Sequence, residues 1–325
     1  MGNFNVRVKN LLRPIKNILF VVAGFSYDFY RYFAYAGWRK GGLGKRDYRA
    51  VKIYHRLEKS LSFRVRKLSS GSEAILALYD FFREKSFDKN KPGYQERVAA
   101  KVMSDFLQEM QSSDPLIDEA RILCQELQSI RASDGGVLAY TQEELQAGQL
   151  ENPEQFFMSR YSVRDFQNSK VDHNVIKRAL RLAMKSPSVC SRQAWHVYHI
   201  EKRELIDKAL SLQNGNRGFG HEVPCLLILA ADLSAFDTAS ERYQHWIDGG
   251  MFSMAVVLAL HSLGIGSCCL NWSKGPVDDI KLRKALRIRS SHSVLMMMAV
   301  GYANDSIKVC SSARRPVEEI YTLLE

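Results

Sequence analysis

The stretch SRYSVRDF, residues 159 to 166, places two arginines and a serine at alternate positions: Arg160, Ser162 and Arg164. In an extended segment side chains alternate between two faces, so these three side chains would point the same way. Guanidinium and hydroxyl groups donate hydrogen bonds in geometries that match phosphate oxygens. The pattern indicates a site for a phosphate or another anion. From these residues alone, a set of surface salt bridges is the alternative.

Other residue types that could do chemistry form no recognisable set. His55 and Glu58 lie three apart, and His196 and His199 lie close on a predicted strand, but neither pair has a third ligand nearby in the sequence. We therefore predict no metal site. No Ser-His-Asp or Cys-His arrangement is recognisable, so we predict no side-chain nucleophile. The sequence GIGS at 264–267 lacks the third glycine of a dinucleotide-binding fingerprint.

Composition indicates a folded globular protein with reduced thiols. The chain has 325 residues, of which 46% are hydrophobic and 25% charged, and this length allows one large or two ordinary domains. Its six cysteines are scattered and form no CxxC pair, which is typical of a cytoplasmic protein. The adjacent Cys268 and Cys269 would point to opposite faces of a strand, which favours packing over a redox role.

Positive charge is concentrated at the N-terminus. Residues 1–70 contain 16 Lys and Arg residues but only three acidic ones, Asp28, Asp47 and Glu58, whereas the net charge of the whole chain is +11. Such a segment could meet an anionic membrane surface or nucleic acid, and a solvated basic surface without a dedicated partner is the alternative. Nucleic acid is the least favoured partner, because it would require basic and aromatic residues presented on one face.

An aromatic and apolar stretch, residues 18–38, lies within this basic segment. Its uncharged part, Ile18 to Tyr27, is too short to span a bilayer, and Asp28 and Arg31 interrupt its continuation. No cleavage site of a secretory signal is clear. A helix along a membrane interface and a helix packed on the body of the protein both remain open.

Periodicity predicts a helical region followed by a mixed region. Between residues 50 and 150, apolar residues recur three and four apart, and the polar, glycine-containing stretch 133–155 is typical of a linker or a connecting loop. From residue 159 onward strands and helices mix, and a long helix at 240–264 is apolar on most sides, as in a buried spine or a dimer interface. The predicted helices are 48–62, 72–85, 94–110, 114–130, 172–186 and 240–264; the predicted strands are 194–200, 223–232, 265–270 and 294–303.

Four stretches in this order carry a family resemblance: SRYSVRDF, SPSVCSRQAW (186–195), LHSLGIGSCCLNW (260–272) and GYANDSIKVCSSARRPVEEI (301–320). Together they resemble the FMN-dependent nitroreductase family over about residues 156–325. The resemblance implies an α+β, nitroreductase-like FMN-binding fold, in which helices flank the sheet and a long buried helix lies at a dimer interface. A mostly helical N-terminal region precedes it. The implied organisation is a basic aromatic segment (1–50), a helical extension (51–150) and the FMN-binding domain (156–325).

The resemblance also implies cofactor-binding residues. The first motif and a C-terminal arginine would hold the FMN phosphate and ribityl chain, the second motif would reach the flavin of the partner subunit, and the third would lie along the flavin ring. Two positions depart from the family pattern: many members have Asn where Ser191 stands and Pro where Ala194 stands. The implied cofactor-binding residues are Arg160, Ser162, Arg164, Pro187, Ser188, Val189, Ser191, Cys269, Leu270, Asn271 and Arg314.

The implied activity is that of an FMN-dependent oxidoreductase. It would transfer a hydride from NAD(P)H through the flavin to a small-molecule acceptor, as a cytoplasmic homodimer, with no catalytic side chain. The stretch YHRLEKSLS (54–62) resembles extended members associated with surface-polysaccharide gene clusters, and this names no substrate. The alternative is a non-catalytic flavin-fold scaffold, or a membrane-associated partner protein, that acts through its basic N-terminal arm.

Overall fold

A computed structural model describes residues 2–38, 43–64 and 71–324. Within these residues, the C-terminal half contains a four-stranded antiparallel sheet with the strand order β1-β2-β4-β3. All four predicted strands fall on the strands of this sheet, and the predicted α+β class is confirmed. The strands are β1 (Trp195–Ile200), β2 (Cys225–Asp232), β3 (Gly266–Asn271) and β4 (His292–Gly301).

Helices cover both faces of this sheet. Side chains alternate along a strand, so Leu226 and Ile228 of β2 pack in one apolar cluster while Leu227 and Leu229 pack in another. The first cluster includes Ile206 and Leu282 from two helices on its side, and the second includes residues of the long helix. Burial on both faces explains why β2 reads as a continuous apolar run. The helices are α8 (His173–Ala183), α9 (Arg203–Ser211), α10 (Gln244–Ser262) and α11 (Pro276–Leu286).

The N-terminal part is helical, as predicted. Four of its helices share an apolar cluster that includes Leu57, Ile75, Phe81 and Met103, and all four side chains are fully buried. The predicted three-part organisation of the chain stays a prediction. The helices are α1 (Gly2–Tyr35), α2 (Leu43–Ser62), α3 (Ser72–Arg83), α4 (Tyr94–Glu109) and α5 (Pro115–Glu126).

Two segments differ from the sequence-based expectation. The predicted linker at 133–155 contains a short helix, α6 (Gln142–Gln146), and the start of another, α7 (Pro153–Met158). Thr141 caps α6 through its hydroxyl, which accepts from the N–H of Glu144, and such capping of a single turn leaves little periodic signal. The glycine-rich stretch RKGGLGKRD (39–47) is typical of a turn; its residues 39–42 lie outside the described residues, and α2 already begins at Leu43.

Helix α1 lies against the C-terminal half through its last turns. The Tyr27 hydroxyl donates to Asp279 at 2.8 Å, Arg31 donates to the carbonyl of His292 at 2.8 Å, and the Tyr32 hydroxyl donates to the carbonyl of Thr238 at 2.6 Å. This part of the segment is therefore packed on the body. Across the described ranges, no helix is long and apolar enough to cross a membrane.

Candidate functional site

Residues of the first motif and the C-terminal arginine line one small cavity of about 60 Å³. Arg160, Ser162 and Arg164 reach it from one segment, and Ser312 and Arg314 reach it from the C-terminal tail. About 150 residues of sequence separate these two segments, so the cavity depends on the fold. The structure thus brings together the four residues for which phosphate binding is predicted.

The first motif is extended because it pairs with the sheet. Ser162 forms a parallel bridge with Ser267 of β3, and the N–H of Val163 donates to the carbonyl of Ser267 at 3.0 Å. The buried side chains of Val163 and Phe166 anchor the segment in the core. The side chains of Arg160, Ser162 and Arg164 therefore remain at the surface, beside the first residues of β3.

The charges at this cavity are uncompensated. Among the described residues, no carboxylate lies within ion-pair distance of Arg160, Arg164 or Arg314. Arg164 donates only to the sulfur of Cys310, at 3.7 Å, and Arg314 donates to the carbonyl of Ser312. The alternative of a set of surface salt bridges does not apply to these three side chains. Guanidinium groups that converge without an acid favour an anionic ligand.

The third motif lies on β3 next to the first. Cys269 and Asn271 are exposed on one face of the strand, whereas Cys268 and Leu270 are buried on the other. The packed strand around Cys269 and the neighbouring Cys268 raise the pKa of its thiol, and Arg160 lies close enough to act in the opposite direction. Because the Leu270 side chain is buried, any contact that Leu270 makes to a ligand on this surface goes through its backbone.

The second motif adopts a sparsely populated backbone conformation. Cys190, Ser191 and Gln193 have φ values of 50°, 53° and 52°, in the left-handed region that side chains other than glycine disfavour. The Ser188 hydroxyl accepts from the N–H of Gln193 at 3.0 Å, and Asp248 of α10 accepts from the N–H of Val189 at 3.0 Å. Strained residues of this kind persist only where their surroundings fix them, and they cluster at functional sites.

Arg192 is the main support of this loop. It is buried, donates to the carbonyl of Ala235 at 2.7 Å and to that of Val189 at 3.2 Å, and forms an ion pair with Glu241. Burial opposes ionisation of Glu241, but hydrogen bonds from Arg192 and from the Asp237 N–H hold its pKa below the usual value. Ala194, one of the two departures from the family pattern, is buried beside this support.

Sequence reasoning missed Arg192 and Asp248. Nothing in the local pattern marks Arg192, because it is one of 46 basic residues and its partners are distant in sequence. Asp248 carried a signal: it is the only carboxylate in an otherwise largely apolar helix, Gln244–Ser262. A buried carboxylate needs hydrogen-bond donors, and the loop N–H of Val189 and the side chain of Gln244 supply them.

The second motif does not join the arginine cavity within this chain. In the parts of the chain that the structure describes, residues 187–193 form hydrogen bonds or ion pairs with α10, with the Ala235–Glu241 segment and with one another, but none with Arg160, Arg164 or Arg314. The first motif, the third motif and the C-terminal arginine thus lie together, and the second motif lies apart from them.

The histidines divide into two cases. His55 and Glu58 contact each other at 2.9 Å on α2, and no further ligand joins them in the described part of the chain. His199, in contrast, lies with His173 and Glu201 in a cluster that sequence spacing could not reveal. His173 comes from another element, 26 residues earlier, and the two meet only because α8 starts beside the end of β1.

Comparisons with known proteins agree with the motifs. The model of the nitroreductase family matches residues 157–214 and 207–302. A "Putative NADH dehydrogenase/NAD(P)H nitroreductase" of Archaeoglobus fulgidus is 27% identical over 153 residues, covering 45% of this chain and 83% of that protein. A protein of the same description from Methanothermobacter thermautotrophicus is 27% identical over 110 residues, covering 34% of this chain and 55% of that protein.

Solved structures give matches over the same half. A protein described as a "Putative NADH dehydrogenase/NAD(P)H nitroreductase" from Parabacteroides distasonis is similar with a TM-score of 0.46 and 21% identity, covering 52% of this chain and 95% of that one. An FMN-dependent nitroreductase from Clostridium difficile is similar with a TM-score of 0.44 and 19% identity, covering 51% of this chain and 96% of that one. Over residues 157–302 of its C-terminal half, the chain is similar to proteins of the nitroreductase family.

Proposed function

We propose that this protein is an FMN-dependent oxidoreductase that uses NAD(P)H to reduce a small-molecule acceptor. The observation that carries the proposal is the set of three guanidinium groups, Arg160, Arg164 and Arg314, that face one cavity without an acidic partner. The match to the nitroreductase family model and the descriptions of the two curated relatives support the reaction class. The acceptor, including any in surface-polysaccharide metabolism, stays a prediction.

The donor set fits the phosphate group of FMN. A phosphate monoester carries close to two negative charges at neutral pH, and charge-assisted hydrogen bonds from arginine are the strongest protein contacts to it. Arg160, Arg164 and Arg314 would supply the charge, and the hydroxyls of Ser162 and Ser312 would supply neutral donors. The exposed face of β3, with Cys269 and Asn271, continues from this cavity and would lie along the flavin.

The chemistry would come from the cofactor and the positioning from the chain. Bound FMN supplies hydride acceptance from NAD(P)H and hydride donation to a second substrate. The residues of this chain would bind the phosphate, fix the ring against β3 through backbone groups of residues 269–271, and leave the opposite ring face accessible. Such a site needs no catalytic side chain.

We infer that the active form is a homodimer. Helix α10 exposes Trp246, Ile247, Met251 and Met254 along one stripe, while its opposite face is buried on the sheet. Between residues 308 and 324 the tail is exposed, and Ile320, Tyr321 and Leu324 are among its apolar residues. A second copy would cover both surfaces, because soluble proteins rarely leave such stripes in water. The strained 187–193 loop would then be free to complete the partner's flavin site, with Pro187, Ser188, Val189 and Ser191 in contact.

The first experiment is a visible absorption spectrum of the purified full-length protein, before and after anaerobic addition of NADH or NADPH. Flavin absorption that bleaches on reduction is the expected result. Protein that binds FMN but is not reduced by either nucleotide would favour the scaffold alternative. Protein that is colourless and takes up no added FMN would overturn the proposal.

We also infer a cytoplasmic protein that contacts membranes through α1. Ile18, Val22, Phe25, Phe29 and Phe33 form a stripe at helical spacing, and each side chain is at least half exposed. This stripe faces away from the side that carries Tyr27, Arg31 and Tyr35. The first 27 residues contain four basic residues and no acidic one, which favours an anionic lipid surface over a neutral partner.

The membrane contact is tested by co-sedimentation with vesicles that contain phosphatidylserine. A variant that carries Val22→Ser, Phe25→Ser and Phe29→Ser should lose binding, since it removes the stripe but leaves the contacts of Tyr27, Arg31 and Tyr32. The matched control carries Ile122→Ser and Leu116→Ser, two exposed apolar residues on α5. Equal sedimentation of the stripe variant and the wild type would remove this proposal.

A further inference from the structure

Three side chains from separate elements converge at the surface, on the side where β1 ends. His173 opens α8, His199 is the last residue but one of β1, and Glu201 follows that strand. The Nε2 atoms of His173 and His199 lie 2.7 and 3.2 Å from the same carboxylate oxygen of Glu201, and the three ligand atoms lie within 4.8 Å of one another. We propose that His173, His199 and Glu201 form a binding site for a divalent transition-metal ion such as Zn²⁺.

The ligand types suit that class of ion. Two imidazole nitrogens and one carboxylate oxygen are a common three-residue set for zinc, and hard cations such as Mg²⁺ prefer oxygen alone. With metal–ligand distances of about 2.0–2.2 Å, tetrahedral coordination separates ligand atoms by roughly 3.3–3.5 Å. The two separations around Glu201, 2.7 and 3.2 Å, are shorter than these values, so the side chains would have to rotate apart slightly to place an ion between the three groups. A solvent molecule would occupy the fourth position.

Three charged neighbours line the adjacent cavity of about 470 Å³: Lys170, Asp172 and Lys177. The carboxylate of Asp172 already accepts from the N–H of Asn174 at 2.7 Å as the cap of α8. The two lysines reduce the attraction for a cation, so we expect weaker binding than at a buried structural zinc site.

A metal ion at this site would stabilise the fold, because of where the site lies. Helix α8 ends and β1 begins on either side of the 187–193 loop, so the cluster joins the opposite ends of the two elements that carry this loop. An ion that binds the folded chain better than the unfolded one stabilises the fold by mass action. We expect zinc to raise the melting temperature of the protein without entering the arginine cavity.

The test is isothermal titration of metal-free, full-length protein with ZnCl₂, on protein without an affinity tag. The wild type should bind one more equivalent than His173→Ala, His199→Asn or Glu201→Gln, and only the wild type should show the corresponding rise in melting temperature. His221→Ala, which removes an exposed histidine beside Glu222, is the matched control and should behave as the wild type.

The same variants distinguish zinc bound at this cluster from zinc bound by cysteine thiols. Cys269 and Cys310 are exposed and would bind zinc equally in the wild type and in all four variants. Equal stoichiometry in the wild type and in His173→Ala would overturn the proposal, as would a wild type that binds no zinc. Neither result depends on FMN, so failure of the metal site is separable from failure of the oxidoreductase assignment.

Discussion

The ammonium group of Lys52 donates to both carboxylate oxygens of Asp237, at 2.7 and 2.8 Å. This contact joins α2 of the N-terminal extension to the segment that supports Arg192, since the N–H of Asp237 donates to Glu241 and Glu241 pairs with Arg192. Tyr48, also from α2, packs in the same apolar cluster as Val189. The extension is therefore connected to the second motif through a continuous set of contacts.

The two ion pairs along this connection should differ sharply in their effect on stability. The Lys52–Asp237 pair is more than one-third exposed at both ends, so Lys52→Met should cost less than about 1 kcal/mol in the free energy of unfolding. Arg192 is buried with Glu241, so Arg192→Met should cost about 3–5 kcal/mol, because it leaves an uncompensated buried charge. Urea unfolding of the two variants measures both values. Similar losses for the two variants would contradict the assigned difference in burial.

Cofactor affinity should depend on Arg160 and Arg314 individually. Each charge-assisted hydrogen bond contributes about 1.5–3 kcal/mol, so Arg160→Ala and Arg314→Ala should each weaken FMN binding by about 10- to 100-fold. Fluorescence titration of flavin-free protein with FMN measures this. Arg315→Ala is the matched control: it is adjacent in sequence and exposed, lies near Glu319 and does not line the cavity. If the double variant Arg160→Ala/Arg314→Ala bound FMN as the wild type does, the phosphate assignment would be wrong.

The sequence was most informative where local pattern and burial agree. Strand β2 reads as an apolar run because both of its faces are covered, and the alternation of Arg160, Ser162 and Arg164 predicted an extended segment because pairing with Ser267 makes it so. The family motifs added Arg314, which is 154 residues from Arg160 and which no periodicity could link to it. The match to the nitroreductase model covers residues 157–302, so it confirms the resemblance in that range, and the assignment of Arg314 stays a prediction.

Polar contacts between residues distant in the sequence could not be predicted from the sequence. The partners of Arg192 are Glu241 and the carbonyl of Ala235, each more than 40 residues away, and the cluster of His173, His199 and Glu201 draws on two separate elements. A hydrogen bond between distant side chains leaves no periodic trace in one sequence. The left-handed backbone conformations of Cys190, Ser191 and Gln193 could not be predicted either. Residues with positive φ are usually glycine, asparagine or aspartate, and none of these three is.

Two adjacent glycines of α10 should respond oppositely to alanine. A Cβ atom at Gly249 would lie 2.1 Å from a terminal carbon of Leu295, so Gly249→Ala should destabilise the fold by about 1–3 kcal/mol through overpacking. A Cβ atom at Gly250 meets nothing within 4 Å, so Gly250→Ala should stabilise the isolated chain by up to about 1 kcal/mol through helix propensity.

The Gly250 variant also reports on the proposed dimer, because Gly250 lies in the exposed stripe between Trp246 and Met254. Sedimentation equilibrium should show a changed dissociation constant for Gly250→Ala and an unchanged one for Gly24→Ala, a control glycine on α1 with open space around it. A monomer at all concentrations in the wild type would contradict the dimer proposal directly.

Lowering the pH should reduce the free energy of unfolding because of His245. This imidazole is buried against Phe236 and Trp246, its Nδ1 has no partner in the described residues, and burial, with the positive charge of Arg31 adding to the effect, lowers its pKa to about 4. Between pH 6.5 and about 4 the unfolded chain binds a proton that the folded chain does not, so stability declines as the pH falls through that window. At pH 5 the expected loss relative to pH 7 is about 2 kcal/mol for one such histidine. His292, whose pKa is also lowered to about 4, acts in the same direction.

His245→Leu should therefore lose less stability than the wild type when the pH is lowered from 7 to 5, because leucine does not titrate and leaves no unpaired nitrogen in the aromatic surroundings. Urea unfolding at the two pH values measures the difference. The control His221→Gln removes an exposed imidazole and should retain the full acid sensitivity of the wild type. An equal loss in His245→Leu and the wild type would mean that His245 takes up its proton in the folded chain as readily as in the unfolded one. The acid sensitivity would then have to arise from other groups, such as His292, His196 and His199, whose pKa values burial also lowers.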